Sequence, residues 1–540
     1  MTKERLYLFD TTLRDGQQTQ GVDFTVQDKT RIATALDALG IDYIEGGWPG
    51  ANPTDNEFFE AVPKMRATFT AFGMTKRAGR SAANDEVLAA VMNANTPAVC
   101  LVGKTDDFHV ETALGITLEE NLENITASID HLVSQGREAL FDCEHFFDGF
   151  KSNRDYALSC AKAAFEAGAR WVVLCDTNGG ALPSEVARAT SALIAMGVPG
   201  DHIGIHTHND TEHAVANSLA AIDAGARQIQ GTLNGLGERC GNANLTTLIP
   251  TLLLKEPYAS QFETGIEVAG LVDLTPLSRT LDDILNRVPQ KQAAYVGASA
   301  FAHKAGLHAS AIVKNPTTYE HIDPGSVGNQ RVIPMSNQAG QSNLRERLKD
   351  MGIEVEKGDA RLADILDRVK RAEDQGYAYD SAQASFELLA RGVLAERLRF
   401  FDITRYRVTV ERRRNAKGRL VSFSEAVVVA QIGPDEMMSV SDSTDDLGQD
   451  SGPVNALAKA ISKDLGPYQA SIDDMKLVDF KVRITNGGTE AVTRVIIDSQ
   501  DRAGMRWSTV GVSANIIDAS FEALIDAINW KLIHDGMTAA

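Results

Sequence analysis

Ile203-Gly204-Ile205-His206-Thr207-His208-Asn209-Asp210 is the stretch of sequence around which the rest of the chain can be arranged. Side chains of a strand repeat every two residues, so His206 and His208 would lie on the same side of a strand end. That spacing is typical of metal ligands, although an isolated His-x-His is about as often a pair of partly exposed residues where a strand meets a loop. The rest of the chain decides between the two interpretations.

Composition restricts the class of protein and its partners. The chain has 540 residues, of which 43% are hydrophobic and 23% charged, as in globular proteins of several domains. A net charge of -20 argues against nucleic acid or an anionic membrane as a partner, because both require basic surface. The five cysteines form no Cys-x-x-Cys and indicate reduced thiols, and no apolar run is long enough to span a bilayer. We therefore expect a soluble, cytoplasmic protein.

Short apolar runs alternate with helical patterns along the first half of the chain. They lie at 6–9, 43–45, 68–72, 98–102, 139–143, 171–175, 203–206 and 228–232. Eight strand–helix units in succession predict an α/β fold, a (β/α)8 (TIM) barrel, whose strands are buried on both faces and therefore read as unbroken apolar runs. A doubly wound open sheet is the alternative, but no glycine-rich dinucleotide loop follows the first run.

A barrel places its catalytic side chains just after its strands, at the carboxyl-terminal face. Polar side chains of the required types follow five of the predicted strands, and they include Arg14, Asp15, Glu144, Thr177, His206, His208, Glu238 and Asn242. Asp15, His206 and His208 would form a mononuclear metal site, with Asn242 as a fourth ligand. Oxygen and imidazole ligands without a thiolate suit Mg²⁺, Mn²⁺ or Zn²⁺, and we favour Mg²⁺ or Mn²⁺ over Zn²⁺.

Three long motifs in this region carry a family resemblance. They are Asp-Thr-Thr-Leu-Arg-Asp-Gly-Gln-Gln at 10–18, His-Thr-His-Asn-Asp at 206–210 and Gly-Leu-Gly-Glu-Arg-Cys-Gly-Asn-Ala at 235–243. In this order they resemble the barrel metalloenzymes that include the 2-isopropylmalate, homocitrate and citramalate synthases. The segments 45–50, 144–150 and 175–180 resemble the citramalate branch of that family. Gln17 departs from the glutamate that many relatives carry at this position.

The resemblance implies a Claisen condensation in which acetyl-CoA is the co-substrate and a 2-oxo acid is the acceptor. With pyruvate the product is citramalate, a precursor in isoleucine biosynthesis. One alternative is 2-isopropylmalate synthesis from 2-oxoisovalerate, in the leucine pathway. Another is an amino-acid-sensing protein on an inactive barrel, which would have no need to retain Arg14 and every presumed metal ligand.

The resemblance also implies roles for single residues of the barrel. Arg14 would face the oxygen that becomes an alkoxide, and Glu238 would hold Arg14 by an ion pair, unless Glu238 forms only a structural salt bridge. Thr177 would bind the carboxylate of the acceptor, and Gln18 would also contact substrate. Glu144 is a candidate acid or base.

The chain beyond the barrel resembles the family's extension and regulatory domain. His308, a second acid/base candidate, and Tyr319 match residues that reach into the active site of the neighbouring subunit, which implies a homodimer or a larger assembly. We expect the barrel at 1–275, helical linker subdomains at 276–404 and an α+β domain at 405–540. Segments 452–457 and 509–520 resemble a dimeric regulatory domain, which by analogy binds isoleucine or leucine. A domain that only dimerises is the alternative.

Overall fold

The computed structural model describes residues 3–285, 287–304, 306–333, 341–394, 400–414, 418, 420–444, 452–484 and 491–539. Contacts within the chain define two compact units, one of Met1–Phe301 with Ile322–Gln330 and one of Ala302–His321 with Arg331–Ala540. In the described ranges no helix has both the length and the apolar character needed to cross a membrane.

The first unit contains the predicted barrel, closed by eight parallel strands in sequence order. The strands are β1 (Tyr7–Asp10), β2 (Tyr43–Gly47), β3 (Thr68–Met74), β4 (Ala98–Lys104), β5 (Glu138–Glu144), β6 (Trp171–Asp176), β7 (Ile203–Thr207) and β8 (Gln228–Gly231). β1 pairs with both β2 and β8, which closes the sheet. Each strand overlaps one of the eight apolar runs, so the prediction of a (β/α)8 barrel is confirmed.

A helix follows each strand and covers the outside of the barrel. The helices are α1 (Val26–Leu39), α2 (Pro53–Glu60), α3 (Glu86–Asn93), α4 (Leu118–Ser134), α5 (Arg154–Glu166), α6 (Pro183–Ala195), α7 (Ala214–Asp223) and α8 (Leu245–Leu254). α1 shows how the sequence sets their ends: Thr25 and Asp28 form a capping box at its start, and Gly40 ends it with φ 102°. A side chain at residue 40 would meet the carbonyl oxygen of Gly265 at 2.5 Å, so only glycine fits there.

The interior of the barrel is apolar at one end and polar at the other. Phe9, Tyr43, Leu140 and Trp171 fill its amino-terminal half, where the indole of Trp171 donates to the hydroxyl of Tyr43 at 3.2 Å. Such a packed layer closes the barrel from below. The polar side chains of the carboxyl-terminal half therefore lie in a cavity that opens on one side only.

The barrel unit continues into α9 (Leu274–Ile284), which packs on it through Leu274, Leu277 and Leu281. The hydroxyl of Thr275 donates to the carbonyl of Val327 at 2.6 Å, within the same unit.

The second unit combines helices with two antiparallel sheets of three strands each. Its helices are α10 (Gly306–Lys314), α11 (Gln341–Asp350), α12 (Ala360–Asp374), α13 (Gln383–Val393), α14 (Pro453–Ser462) and α15 (Ile516–His534). One sheet contains β9 (Asp402–Arg414), β10 (Leu420–Ile432) and β11 (Asp435–Thr444), and the other contains β12 (Met475–Ile484), β13 (Thr493–Asp501) and β14 (Arg506–Ser513). α14 and α15 contribute to a core against these sheets, as an α+β domain requires.

Helix α13 lies before residue 405 but bonds with the last helix of the chain. The hydroxyl of Ser385 donates to Asp526 at 2.7 Å, and Glu387 accepts from the indole of Trp530 at 2.7 Å. We therefore propose that the C-terminal domain begins before α13 rather than at residue 405.

Candidate active site

The carboxyl ends of the strands surround a cavity of about 240 Å³. Its lining combines charged, polar and apolar side chains, namely Arg14, Asp15, Gln18, Trp48, Phe72, Val102, Asp142, Glu144, Cys175, Thr177, His206, His208, Glu238 and Arg239. Eight of the residues singled out in the sequence therefore meet in one place. The barrel brings them together because parallel strands present all their carboxyl ends at the same face.

The three predicted metal ligands lie at the bottom of this cavity. His206 Nε2 is 3.1 Å from Asp15 Oδ2, and His208 Nε2 is 3.9 Å from the same oxygen. The two imidazole Nε2 atoms are 3.3 Å apart. All three side chains are buried, and one ligand atom from each falls within 4.8 Å of the others. Two nitrogens and a carboxylate oxygen facing one another at these distances fit a divalent cation.

Asn242 completes the group. Its Nδ2 donates to Asp15 Oδ2 at 2.9 Å, while its buried Oδ1 finds no hydrogen-bond partner among the described residues. Leaving a buried carbonyl oxygen unpaired costs about 1–3 kcal/mol, so an amide without a partner beside three ligands is informative. The four residues fit the metal site expected from the sequence.

The charges of the site favour the metal-binding forms of Asp15 and His208. Burial lowers the pKa of His206, but Asp15 and Asp142 raise it more, so that it lies above its usual value. Burial raises the pKa of Asp15, but Arg14 and the two imidazoles lower it more, so that the pKa lies well below its usual range. Burial and the charge of His206 lower the pKa of His208 to about 4. Metals bind deprotonated carboxylates and neutral imidazoles, which are the forms that Asp15 and His208 adopt near neutral pH.

Arg14 is held rigidly beside the metal ligands. Its Nε is 2.7 Å from Glu45 Oε2, and its guanidinium lies 3.8 Å from the centre of the Phe72 ring. The hydroxyl of Thr11 donates to the same Glu45 oxygen at 2.6 Å. A guanidinium fixed on two sides in this way can direct its remaining N–H groups to the cavity, where Nη1 lies 3.7 Å from Asp15 Oδ2.

The predicted ion pair between Arg14 and Glu238 is wrong. Glu238 lies in an exposed loop after β8, 3.5 Å from Arg239, whereas Arg14 pairs with Glu45. The reason is topological: Glu45 lies within β2, the strand that pairs directly with β1, and it is fully buried. Glu238 nevertheless lines the cavity.

Glu144 and Thr177 line the opposite wall. Glu144 Oε2 is 2.6 Å from Lys104 Nζ, an ion pair between the ends of the adjacent strands β5 and β4. The hydroxyl of Thr177 accepts a hydrogen bond from the backbone N–H of His145 at 2.8 Å, which orients this side chain. Gln18 lies in a short helical turn at the rim of the cavity.

Several residues in or next to the cavity were not predicted from the sequence. Asp142 and Glu45 are carboxylates inside strands that otherwise read as apolar, and that contrast was a usable signal. Lys104 gave no comparable signal, because its ion pair depends on where Glu144 of the next strand lies. Cys175 also reaches the cavity, but burial raises the pKa of its thiol well above the usual value, so it stays uncharged.

His308 and Tyr319 belong to the second unit. Their rings stack with centroids 4.1 Å apart, and both side chains are exposed. The neighbouring His303 contacts the buried Glu320, which also binds Arg331 at 2.6 Å. This ion-pair group holds the segment that carries Tyr319.

A closed (β/α)8 barrel with a buried aspartate, two histidines and an arginine at the carboxyl ends of its strands defines a class of metal-dependent barrel enzyme. The HMGL-like family matches residues 5–278. The homocitrate synthase post-HMGL domain-like family matches residues 295–377, and the LeuA allosteric (dimerisation) domain matches residues 380–532. The LeuA match indicates an oligomeric enzyme with allosteric regulation.

Relatives with curated names cover almost the whole chain. The chain is 46% identical to the (R)-citramalate synthase of Aquifex aeolicus and 43% identical to that of Synechocystis sp., with 98% or more of each chain aligned. It is 32% identical to a probable 2-isopropylmalate synthase of Methanopyrus kandleri, over 97% of this chain and 98% of that one. The chain belongs to the (R)-citramalate synthase family.

Proposed function

We propose that the chain catalyses the condensation of acetyl-CoA with pyruvate and the hydrolysis of the resulting thioester, which yields (R)-citramalate and CoA for isoleucine biosynthesis. The observation that carries the proposal is the meeting of Asp15, His206, His208 and Arg14 in one cavity of a chain with this family membership. The cytoplasmic location expected from the sequence stays a prediction.

A divalent cation would be held by Asp15, His206, His208 and Asn242. When bound, it would supply a Lewis acid that polarises the ketone of the acceptor. We favour Mg²⁺ or Mn²⁺ over Zn²⁺, because the four residues supply oxygen and imidazole ligands and no thiolate. Thr177 and Gln18 line the same cavity and would bind the acceptor.

The shape and charge of the cavity support a small acceptor with a single carboxylate. Trp48, Phe72 and Val102 form apolar walls, which suit a short alkyl group. The carboxylate of Asp142 lines the same space, and a second carboxylate on the substrate would be repelled by it. Pyruvate meets both conditions, whereas 2-oxoglutarate does not.

Arg14 stabilises the charge that forms during the reaction. Loss of a methyl proton from acetyl-CoA gives an enolate, whose carbon attacks the ketone carbon and converts the ketone oxygen to an alkoxide. The Arg14 guanidinium, fixed by Glu45 and Phe72, is positioned to oppose that charge without reorganising. Burial lowers the pKa of Arg14, but Glu45 and Asp15 raise it more, so the guanidinium stays charged.

Proton transfers are assigned to Glu144 and to the pair of His308 and Tyr319. Glu144 lines the cavity and is paired with Lys104, which supports a role in accepting or donating a proton. His308 and Tyr319 are exposed and stacked on each other, and we assign them to the active site of the neighbouring subunit. In the second half of the reaction, water adds to the thioester carbon, the C–S bond breaks and CoA leaves as the thiol.

The C-terminal domain is assigned to feedback control. Its match to the LeuA domain supports the binding of an amino-acid end product, isoleucine for a citramalate synthase and leucine for the alternative pathway. Exposed apolar side chains on β12, including Val482 and Ile484, support association of two such domains.

The test is CoA release from acetyl-CoA by the purified chain with Mg²⁺ or Mn²⁺ and one acceptor at a time. We expect pyruvate to exceed 2-oxobutyrate, 2-oxoisovalerate and 2-oxoglutarate in kcat/KM. Preference for 2-oxoisovalerate would indicate a 2-isopropylmalate synthase of the leucine pathway. No turnover with any acceptor would favour the alternative of an amino-acid-sensing protein on an inactive barrel. The variant His206→Ala, which removes one ligand, is the control and should be inactive while remaining folded.

A further inference from the structure

Two linked, buried hydrogen bonds lie directly beneath the metal ligands. His206 Nδ1 is 3.0 Å from Gln230 Oε1, and Gln230 Nε2 donates to Asp142 Oδ1 at 3.2 Å. Gln230 belongs to β8 and Asp142 to β5, so these hydrogen bonds cross the interior of the barrel. All three side chains are at most 5% exposed.

The direction of these hydrogen bonds determines which nitrogen of His206 carries a proton. An amide oxygen only accepts, so the Nδ1 that faces Gln230 Oε1 must carry a proton. In the neutral imidazole that binds a metal, this leaves the lone pair on Nε2. Nε2 is the atom that faces Asp15 and His208. A neutral imidazole binds a metal only through the nitrogen that has the lone pair.

Asp142 in turn determines the orientation of the amide. Rotation of the Gln230 amide by half a turn would place its oxygen against the Asp142 carboxylate and its NH₂ group against His206 Nδ1. The first contact is repulsive, and the second would move the imidazole proton to Nε2. No comparable hydrogen bond selects the tautomer of His208, because its Nδ1 has no hydrogen-bond partner in the part of the chain that the structure describes.

We propose that Gln230, oriented by Asp142, is a positioning residue that fixes His206 in the tautomer whose Nε2 binds the divalent cation. The inference rests on the metal site of the proposed function and adds two residues that hold one of its ligands. Removing such a partner of a ligating histidine lowers metal affinity by about 10- to 100-fold.

The first test compares two glutamines of the same strand. Gln228 and Gln230 lie two residues apart on β8 and are both buried, but the Gln228 amide makes no hydrogen bond to any described residue. In Gln230→Met we expect Mn²⁺ affinity of the chelator-treated full-length chain, measured by titration calorimetry, to fall about 10- to 100-fold. Gln228→Met removes an equally buried amide and should bind Mn²⁺ as the wild-type chain does.

The second test separates hydrogen-bond direction from packing. Gln230→Glu keeps the size of the side chain but removes the donor to Asp142 and places two carboxylates in contact, so we expect weaker Mn²⁺ binding. Adding Asp142→Asn restores a donor–acceptor pair with reversed direction, and Glu at residue 230 can still accept from His206. This double variant should regain most of the lost affinity, which a role in packing alone would not produce.

Three results would overturn the inference. They are wild-type affinity in Gln230→Met, an equal loss in Gln228→Met, and no recovery in the double variant. Each requires that the wild-type chain binds Mn²⁺. Absence of Mn²⁺ binding by the wild-type chain itself would overturn the proposed metal site together with this inference, so the two failures are distinguishable.

Discussion

At the scale of single residues, the cavity contains more buried carboxylates than cations. Asp15, Glu45 and Asp142 face one guanidinium, that of Arg14. Burial raises the pKa of both Glu45 and Asp142. Arg14 offsets this rise only in part at Glu45, and His206 and Arg14 offset it only in part at Asp142. A divalent cation would offset this excess of negative charge, which is a reason for the site to depend on its metal.

We predict that Arg14→Lys lowers kcat about 100- to 1,000-fold, the effect of removing one preorganised donor. A lysine retains the charge, but it cannot both bond to Glu45 and stack flat on Phe72. Steady-state CoA release measures the change. Arg227→Lys is the control, because Arg227 also pairs with a glutamate and lies over an aromatic ring, but at the foot of β8. A kcat near the wild-type value would mean that the guanidinium geometry is not needed.

The residues of the candidate metal site could be predicted from sequence, whereas the contacts of their supporting residues could not. Asp15, His206 and His208 lie at the carboxyl ends of strands or shortly after them, and the barrel places every strand end at one face. Glu45 and Gln230 act through contacts across the barrel, which depend on which side chains of different strands meet in the interior. Spacing along the chain carries no information about such contacts. The pairing of Glu238 with Arg14, which only the family resemblance implied, is not the pairing that the structure has.

At the scale of elements, the barrel strands were predictable because burial on both faces leaves a continuous apolar run. Helix α13 shows the opposite case. Its pattern of apolar residues resembles that of the helices before it, and sequence alone therefore assigned it to the linker. Trp530, the partner of Glu387 in this helix, lies 143 residues later, so the proposal that α13 belongs to the C-terminal domain rests on a long-range contact.

The contact between α13 and α15 predicts a dependence of stability on pH. Burial raises the pKa of Glu387, but hydrogen bonds from His534, Trp530 and Arg391 lower it more, so its pKa in the folded state lies below the ordinary 4.5. A carboxylate of this kind contributes stability above its unfolded pKa, and the contribution is lost as the pH falls through the lower folded pKa.

We therefore predict that Glu387→Gln lowers the thermal midpoint of the full-length chain at neutral pH, by loss of charged hydrogen bonds that contribute about 1.5–3 kcal/mol each. The difference from the wild-type chain should shrink as the pH falls below about 4.5, where the wild-type carboxylate also becomes protonated. Scanning calorimetry over this pH range measures it. Glu354→Gln, at an exposed position, should change neither the thermal midpoint nor its dependence on pH. If the difference in thermal midpoint between Glu387→Gln and the wild-type chain stays constant with pH, the lowered pKa of Glu387 is contradicted.

At the scale of the whole molecule, the central question is whether one chain contains a complete active site. The metal ligands, Arg14 and Glu144 all lie in the barrel unit, while His308 and Tyr319 belong to the second unit. The LeuA match indicates that the chain forms oligomers. If His308 acts in the neighbouring subunit, association is a condition for catalysis as well as for regulation.

Complementation between two inactive variants tests this arrangement. Asp15→Asn removes a metal ligand, and His308→Ala removes the proposed acid/base residue, so each homodimer should be inactive. A heterodimer, isolated through a different affinity tag on each chain, would combine the intact barrel of one chain with His308 of the other. We expect about half of the wild-type turnover, because one of the two sites of a symmetric dimer is then complete. A heterodimer of Asp15→Asn with His206→Ala is the control and should remain inactive, since both of its barrels lack a ligand. If the heterodimer of Asp15→Asn with His308→Ala is also inactive, His308 does not act across the subunits. Catalysis would then not require His308 of a neighbouring chain.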